Sequence, residues 1–120
     1  MPIKFQLIAD TGYVLVNQTG EITVAEIDQA RPRILELATA GGAMKILVDV
    51  RGTTNKLSTI EYFSITERTA KADLPRPRAA FVCRPDQFGD VSFIETVAVN
   101  RGLPLKVFLS QEEALHWLLH

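Results

Sequence analysis

KILVDVRGTTNKLSTIE, residues 45–61, holds the clearest structural signal in the chain. The apolar run Ile46, Leu47 and Val48 ends in an acid, Asp49, and a glycine, Gly52. A polar bend follows, and then a helix start. A short apolar run of this kind is a buried parallel strand whose carboxyl end feeds a loop, with a helix returning behind it. Alternation along the run puts Ile46, Val48 and Val50 on one face and Leu47 and Asp49 on a more mixed one. In open α/β sheets, ligands gather at the carboxyl edge of the strands.

Upstream, residues 3–9 alternate, with Ile3, Phe5 and Leu7 on one side and Lys4 and Gln6 on the other. Asp10-Thr11-Gly12 is a turn, and residues 13–17 (YVLVN) are a second strand, so the chain opens with an antiparallel hairpin. The first helix begins at Thr23. Thr23 and Glu26 have the spacing of a capping box, and Ile22 and Ile27 that of a hydrophobic staple. Val24, Ile27, Ile34 and Ala38 share a face. Pro32 lies opposite that face, where it bends the helix around the core. Gly41-Gly42 ends the helix.

Downstream, residues 51–56 read as loop. Ser58 opens the second helix through a capping box to Glu61, with Ile60, Phe63 and Ala70 facing inward. This helix fades near Asp73 and is stopped by Pro75 and Pro77. AAFVC, within residues 78–84, is a strand buried on both faces. A third helix starts between Asp86 and Asp90 and ends at Gly102, with Val91, Ile94 and Ala98 as its core stripe. Residues 105–109 (LKVFL) form the last strand. Ser110 and Glu113 form a third capping box, before a helix made apolar by Ala114, Leu115, Trp117 and Leu118. Hairpin, three helix–strand units and a closing helix make one α/β domain over residues 1–120. Right-handed crossovers wind it in one direction, giving the strand order 1-2-3-4-5 with helices mainly on one face.

The totals bound the function. The chain of 120 residues is 47% apolar and carries a net charge of −1, so no global field recruits nucleic acid. Arg68, Lys71, Arg76 and Arg78 form a locally basic stretch, but it lacks the interleaved aromatics of a base-stacking surface. Charges at Lys4 and Asp10 exclude a signal peptide or membrane span at the N-terminus. Cys83, the only cysteine, rules out a disulfide framework and suits a reducing, cytoplasmic setting. It reads as a buried, inert thiol. His116 and His120, four apart on the last helix, have no evident third ligand, and a helix C-terminus favours them simply as cations. No metal, cofactor or catalytic constellation is implied, and an enzyme is not expected.

The hairpin-plus-βα plan resembles the SpoIIAA-like, or STAS, domains. GLPLKVFLSQEEALHWL resembles their ending, and ILVDVRG their middle strand with its acid near the carboxyl end. The likeness is closest to small stand-alone bacterial STAS-like proteins of undefined role, with VDxRG and FG motifs, here Val48 to Gly52 and Phe88-Gly89. Anti-sigma antagonists of this fold are phosphorylated on a serine in Asp-Ser-Ser-Gly at the start of the second helix. The matching residues here are Leu57, Ser58, Thr59 and Ile60. Ser58 is kept without the acid and glycine, and a phosphate there would sit favourably at a helix N-terminus. Related wound folds bind lipids between sheet and helices.

Asp49, Arg51, Thr53 and Thr54 stand at the carboxyl edge of the central strand, and Arg84 and Asp86 at that of the next. Together they form a candidate site for a small anion, a polar ligand or a partner protein. The alternative is internal Asp–Arg pairs that fix the loops. Phe93 and Val97, beside the core stripe of the third helix, are either covered by this chain or a contact between copies in a homodimer. The resemblance implies a non-enzymatic regulatory or protein-interaction module working through residues 49–58, with Ser58 as a modification site. The alternative is a carrier of a small ligand or lipid. An apolar pocket under the second and third helices favours the carrier, and a filled core with Phe93 and Val97 exposed favours the module.

Overall fold

The computed structural model describes residues 2–42, 44–71 and 76–120. Its strands are β1 (Ile3–Ile8), β2 (Tyr13–Gly20), β3 (Lys45–Thr53), β4 (Arg78–Val82) and β5 (Leu105–Phe108). Its helices are α1 (Val24–Ala40), α2 (Thr59–Lys71), α3 (Phe88–Asn100) and α4 (Gln111–Leu119), with one 3-10 turn over Pro85–Gln87 before α3. The sheet runs β1-β2-β3-β4-β5, with β1 antiparallel to β2 and every other pairing parallel. Both the strand order and the N-terminal hairpin match the sequence reading.

The capping signals place the helices as expected. Thr23 and Glu26 exchange the two bonds of a capping box, and Pro32 sits inside α1 on its exposed side. The Ser58 hydroxyl accepts from the Glu61 amide at 3.1 Å, while the Glu61 carboxylate accepts from the Ser58 amide at 2.8 Å. At α4 the Ser110 hydroxyl accepts from the Glu113 amide at 3.3 Å. Gly102, just past α3, has φ of 79°. Asp73 and Pro75, expected to end α2, lie outside the described residues.

The period-2 alternation sorts the sheet into two faces. Val14, Val16, Ile46, Val48, Val50 and Cys83 pack toward α1 and α3. Tyr13, Leu47, Ala80 and Val82 pack toward Ala114 and Leu118 of α4. Thus α1, α2 and α3 occupy one side, and α4 alone covers the reverse. Trp117 of α4 is flanked by Phe108, 5.8 Å between ring centres, and by the Arg78 guanidinium, 4.0 Å from its ring.

Two sequence expectations are corrected, and one open alternative is decided. The central strand continues to Thr53 instead of becoming loop after Val50, because β2 also runs on and pairs Thr19 with Gly52 and Gly20 with Thr53. Between the pairs Asn17–Asp49 and Thr19–Gly52, the single residue Gln18 of β2 faces two of β3, Val50 and Arg51, which is a bulge. A Cβ on Gly52 would meet Thr19 Cγ2 at 2.9 Å and the Gln18 carbonyl oxygen at 3.3 Å, so a side chain there would displace Thr19. In α2, Ile60 and Phe63 point outward, 77% and 40% exposed. Ala70 faces inward as expected, and the inward stripe is completed by buried Thr66 and half-buried Tyr62, Ile65 and Thr69. Val97 is buried, 6% exposed, and Phe93 is half-buried. Val97 is therefore covered by this chain and presents no surface to a second copy. The exposed apolar side chains of α3 are Phe88 and Val99.

Candidate functional site

The residues expected at the carboxyl edge separate onto the two faces of the sheet. Asp49 shares the reverse face with Leu47. Its carboxylate accepts from Arg51 Nε at 3.0 Å, from Arg51 Nη2 at 2.9 Å and from the Arg51 amide at 3.0 Å. Arg51 reaches on to Gln111 Oε1 of α4 at 3.1 Å. Burial pushes the Asp49 carboxyl up, but these donated bonds and the charge of Arg51 outweigh it and hold the pKa below its ordinary value.

Arg84 and Asp86 lie on the other face. Arg84 donates to Asp86 from Nε at 3.0 Å and from Nη2 at 3.2 Å, and these bonds lower the carboxyl pKa. Arg84 Nη1 also donates to the carbonyls of Arg51 and Thr53. Gln87, which sequence reasoning did not single out, completes the tie. Its Nε2 donates to the Val50 carbonyl and to Thr53 Oγ1, each at 2.9 Å, and its Oε1 accepts from the Arg84 amide at 2.8 Å. Both Asp–Arg pairs are internal fastenings. The expected single cluster of Asp49, Arg51, Thr53, Thr54, Arg84 and Asp86 does not exist as one site. Ser58 is exposed at the head of α2.

Thr53, Thr54, Arg84 and Asp86 nevertheless share a feature that Asp49, Arg51 and Ser58 lack: they line a cavity of about 400 Å³ between the sheet and helices α1, α2 and α3. Its floor is apolar, with Ile46 and Val48 of β3 and Ala79 and Phe81 of β4. Its roof is Ile65, Thr66 and Thr69 of α2. The Thr66 hydroxyl donates to the Tyr62 carbonyl at 2.9 Å and that of Thr69 to the Ile65 carbonyl at 2.8 Å. Their polarity is thus spent inside the helix, and among the described residues no buried side-chain nitrogen or oxygen lacks a partner.

The roof stays up because α2 leans on its neighbouring helices, not on the sheet. Arg68 pairs with Asp28 of α1 at 3.1 Å, and Glu67 pairs with Arg101 beyond α3. The Arg101 guanidinium also lies 5.1 Å from the ring of outward Phe63. Arg76 donates to the Ala70 carbonyl at 2.9 Å and the Arg101 carbonyl at 3.1 Å, joining the ends of α2 and α3. The basic stretch is therefore tied down by acids, carbonyls and, for Arg78, an indole ring. At the other end of the roof, Lys56 meets Asp90 of α3 at 3.3 Å. Asn55 exchanges two 2.7 Å bonds with the Ile22 backbone, pinning the β3–α2 connection to the start of α1. Asn55 and Tyr62 are cavity residues that sequence reasoning missed. The partner of Asn55 lies 33 residues away, on Ile22.

Cys83 is fully buried beside this site. Burial and the charge of Asp86 raise its thiol pKa against the opposing effect of Arg84, which keeps it protonated and inert. Among the described residues, no cluster of three metal-ligating side chains is present, and no helix is long and apolar enough to cross a membrane.

No family profile matches the sequence, and no curated protein matches it. Among solved structures, the chain is similar to the crystal structure of an uncharacterized protein from the DUF3478 family with a SpoIIAA-like fold, from Shewanella loihica PV-4. The match covers 97% of this chain and 91% of that one, at 16% identity and a TM-score of 0.57. At that identity the likeness is one of fold. A five-stranded sheet wound in one direction, opened by an antiparallel hairpin and matched over almost its whole length, is a SpoIIAA-like fold.

Proposed function

We propose that this SpoIIAA-like chain is a non-catalytic binding domain that carries a small, mainly apolar molecule between its sheet and helices α1, α2 and α3. The observation that carries the reading is the cavity of about 400 Å³ with its apolar floor and roof. Cavities of roughly 300–1,000 Å³ lined mainly by apolar groups are typical of small-molecule sites. A non-catalytic role is supported by one carboxylate of the cavity lining, Asp86. Asp86 is held in its ionised form by Arg84, which makes it a poor proton donor. Docking of a partner protein is the second reading, favoured by outward Ile60 and Phe63 on α2.

Native mass spectrometry of the protein purified from its own cells tests this. A non-covalent small mass, released on stronger activation, is the expected result. A bare chain, or a chain in stoichiometric complex with another protein and without a small mass, overturns the carrier reading.

A further inference from the structure

At β5 the sheet ends in an open edge, and one side chain closes it. β5 is the last strand in the order, so one side of it has no neighbouring strand. The Ala79 amide donates to the Pro104 carbonyl at 2.9 Å and the Cys83 amide to the Phe108 carbonyl at 3.0 Å, so the even-numbered residues of this stretch turn toward β4. Leu105 and Val107 therefore turn their amides and carbonyls outward. The Val107 amide, in mid-strand, donates at 2.7 Å to Oε1 of Glu95, a half-buried side chain reaching across from α3. A carboxylate is a strong acceptor for a backbone amide, and this one occupies the place that the carbonyl of a further strand would take.

The surroundings of that edge are apolar. Helical spacing places Phe88, Ser92, Glu95 and Val99 on one stripe of α3. Phe88 is 43% exposed, Val99 55%, and Leu109, the residue after β5, 50%. Among the described residues these are three of the five large apolar side chains that stand exposed, and the other two are Ile60 and Phe63 of α2. None belongs to β1, the opposite edge, where Lys4 and Gln6 are exposed instead. An open depression runs along the β5 edge from Glu95 and Val99 to Trp117 of α4. Exposed apolar edges are templates for a further strand, and charged side chains are one means of closing them.

A strand that suits this edge is β5 itself. Laid antiparallel to a second copy with the two-fold axis at Val107, β5 sets Val107 opposite Val107, Leu105 opposite Leu109 and Lys106 opposite Phe108. The first two are aliphatic pairs, the third sets a cation on an aromatic ring, and no like charges stand directly opposite. Lys106 Nζ already lies 5.6 Å from the ring of its own Phe108, so cation and ring share one face of the sheet. With a net charge of −1 per chain, two copies repel little as wholes. One group opposes the pairing. Glu95 holds the Val107 amide that the axis requires, and two Glu95 carboxylates would meet there. We propose that β5 and the Phe88–Val99 stripe of α3 are an interface for a second copy of this chain, and that Glu95 is the latch that keeps it shut. With the latch closed the chain is a monomer. With it open, two sheets join edge to edge. The surface lies outside the cavity and is independent of the carrier reading.

Sedimentation velocity of the purified chain, with hydrogen exchange read at the β5 amides, tests it. The parent should sediment as a monomer. Glu95→Ala, with a thermal midpoint to show that it folds, should dimerise. Two latch bonds open per dimer, so the association constant should rise about a hundredfold or more. Glu95→Gln keeps an acceptor oxygen without the charge and should raise it about tenfold. Exchange of the Leu105 and Val107 amides in Glu95→Ala should slow as its concentration rises. Leu109→Lys added to Glu95→Ala sets a charge on the edge opposite Leu105 and should return the chain to a monomer. A folded Glu95→Ala as monomeric as the parent overturns the proposal, and where that variant does not fold, a Glu95→Gln as monomeric as the parent does the same. So does a dimer whose protection lies away from β5, a dimer that Leu109→Lys leaves intact, or a parent already paired through β5.

Discussion

Ala79→Leu turns the cavity into a measurable stability change of known sign. Ala79 lies on the floor, between Ile46 of β3 and Leu105 of β5. Leucine adds three carbons there. At ~30 Å³ each they take about 90 Å³, less than a quarter of the 400 Å³ available. Burying them contributes about 2.4 kcal/mol at ~0.8 kcal/mol per carbon. Ordering the longer side chain costs ~0.5–1 kcal/mol, leaving a net gain of about 1.5 kcal/mol. In a filled core the same insertion would cost ~1–3 kcal/mol. Urea unfolding separates the two cases. With a slope near ~1.5 kcal/mol/M, the midpoint should rise by roughly 1 M without a change in slope. The stabilised variant should also lose the small bound mass, a trade of function for stability. A midpoint that falls by a similar amount would show that the space beneath α2 is already packed, and would sink both the cavity and the carrier argument.

Two other perturbations test the surrounding framework. Asp49 has a lowered pKa in the folded chain, so the unfolded state binds the proton more readily. Its contribution is present above the unfolded value, near ~3.9, and is lost as pH falls through the folded one. Urea midpoints of the parent should therefore drop on acidification below about pH 4, and those of Asp49→Asn should drop less over the same window. Equal pH slopes for the two proteins would show that the Asp49–Arg51 pair contributes nothing to folding. Ser58→Ala removes the hydroxyl that accepts from the Glu61 amide, leaves the Ser58 amide free to donate to the Glu61 carboxylate, and should cost about 1 kcal/mol in urea unfolding. A change in ligand or partner binding much larger than that loss would assign Ser58 a role beyond capping.

The fold was legible because its local signals were redundant. Thr23 with Glu26, Ser58 with Glu61, and Ser110 each start a helix where the sequence says one starts. The alternation of Ile46, Val48 and Val50 against Leu47 sorts the two faces of the sheet as read. The site was less legible, for three physical reasons. The tail of β3 is polar, and pairing with an equally polar extension of β2 makes it strand. In α2 the inward stripe contains Thr66 and Thr69, which count as polar until their hydroxyls are seen bonded within the helix. Ile60 and Phe63 are apolar yet outward, because that stripe sets the rotation of α2. The separation of Asp49 and Arg51 from Arg84 and Asp86 was half available. Asp49 alternates with Val48 and Val50 and so belongs to the opposite face, but only the packing of α4 shows that Arg51 follows it.

The strictly sequential order of the sheet also bears on how the protein is made. Val14 pairs with Ile46, Ile46 with Ala79, and Ala79 with Leu105, so each parallel rung joins strands about 30 residues apart along the chain. Loop closure costs only ~0.6 kcal/mol more for each doubling of length, so these three closures are nearly equal in cost. No strand must be inserted between two that have already paired. A chain leaving the ribosome can therefore add each strand and helix to the unit before it, and the most recently added strand is the edge that a neighbouring nascent chain could capture.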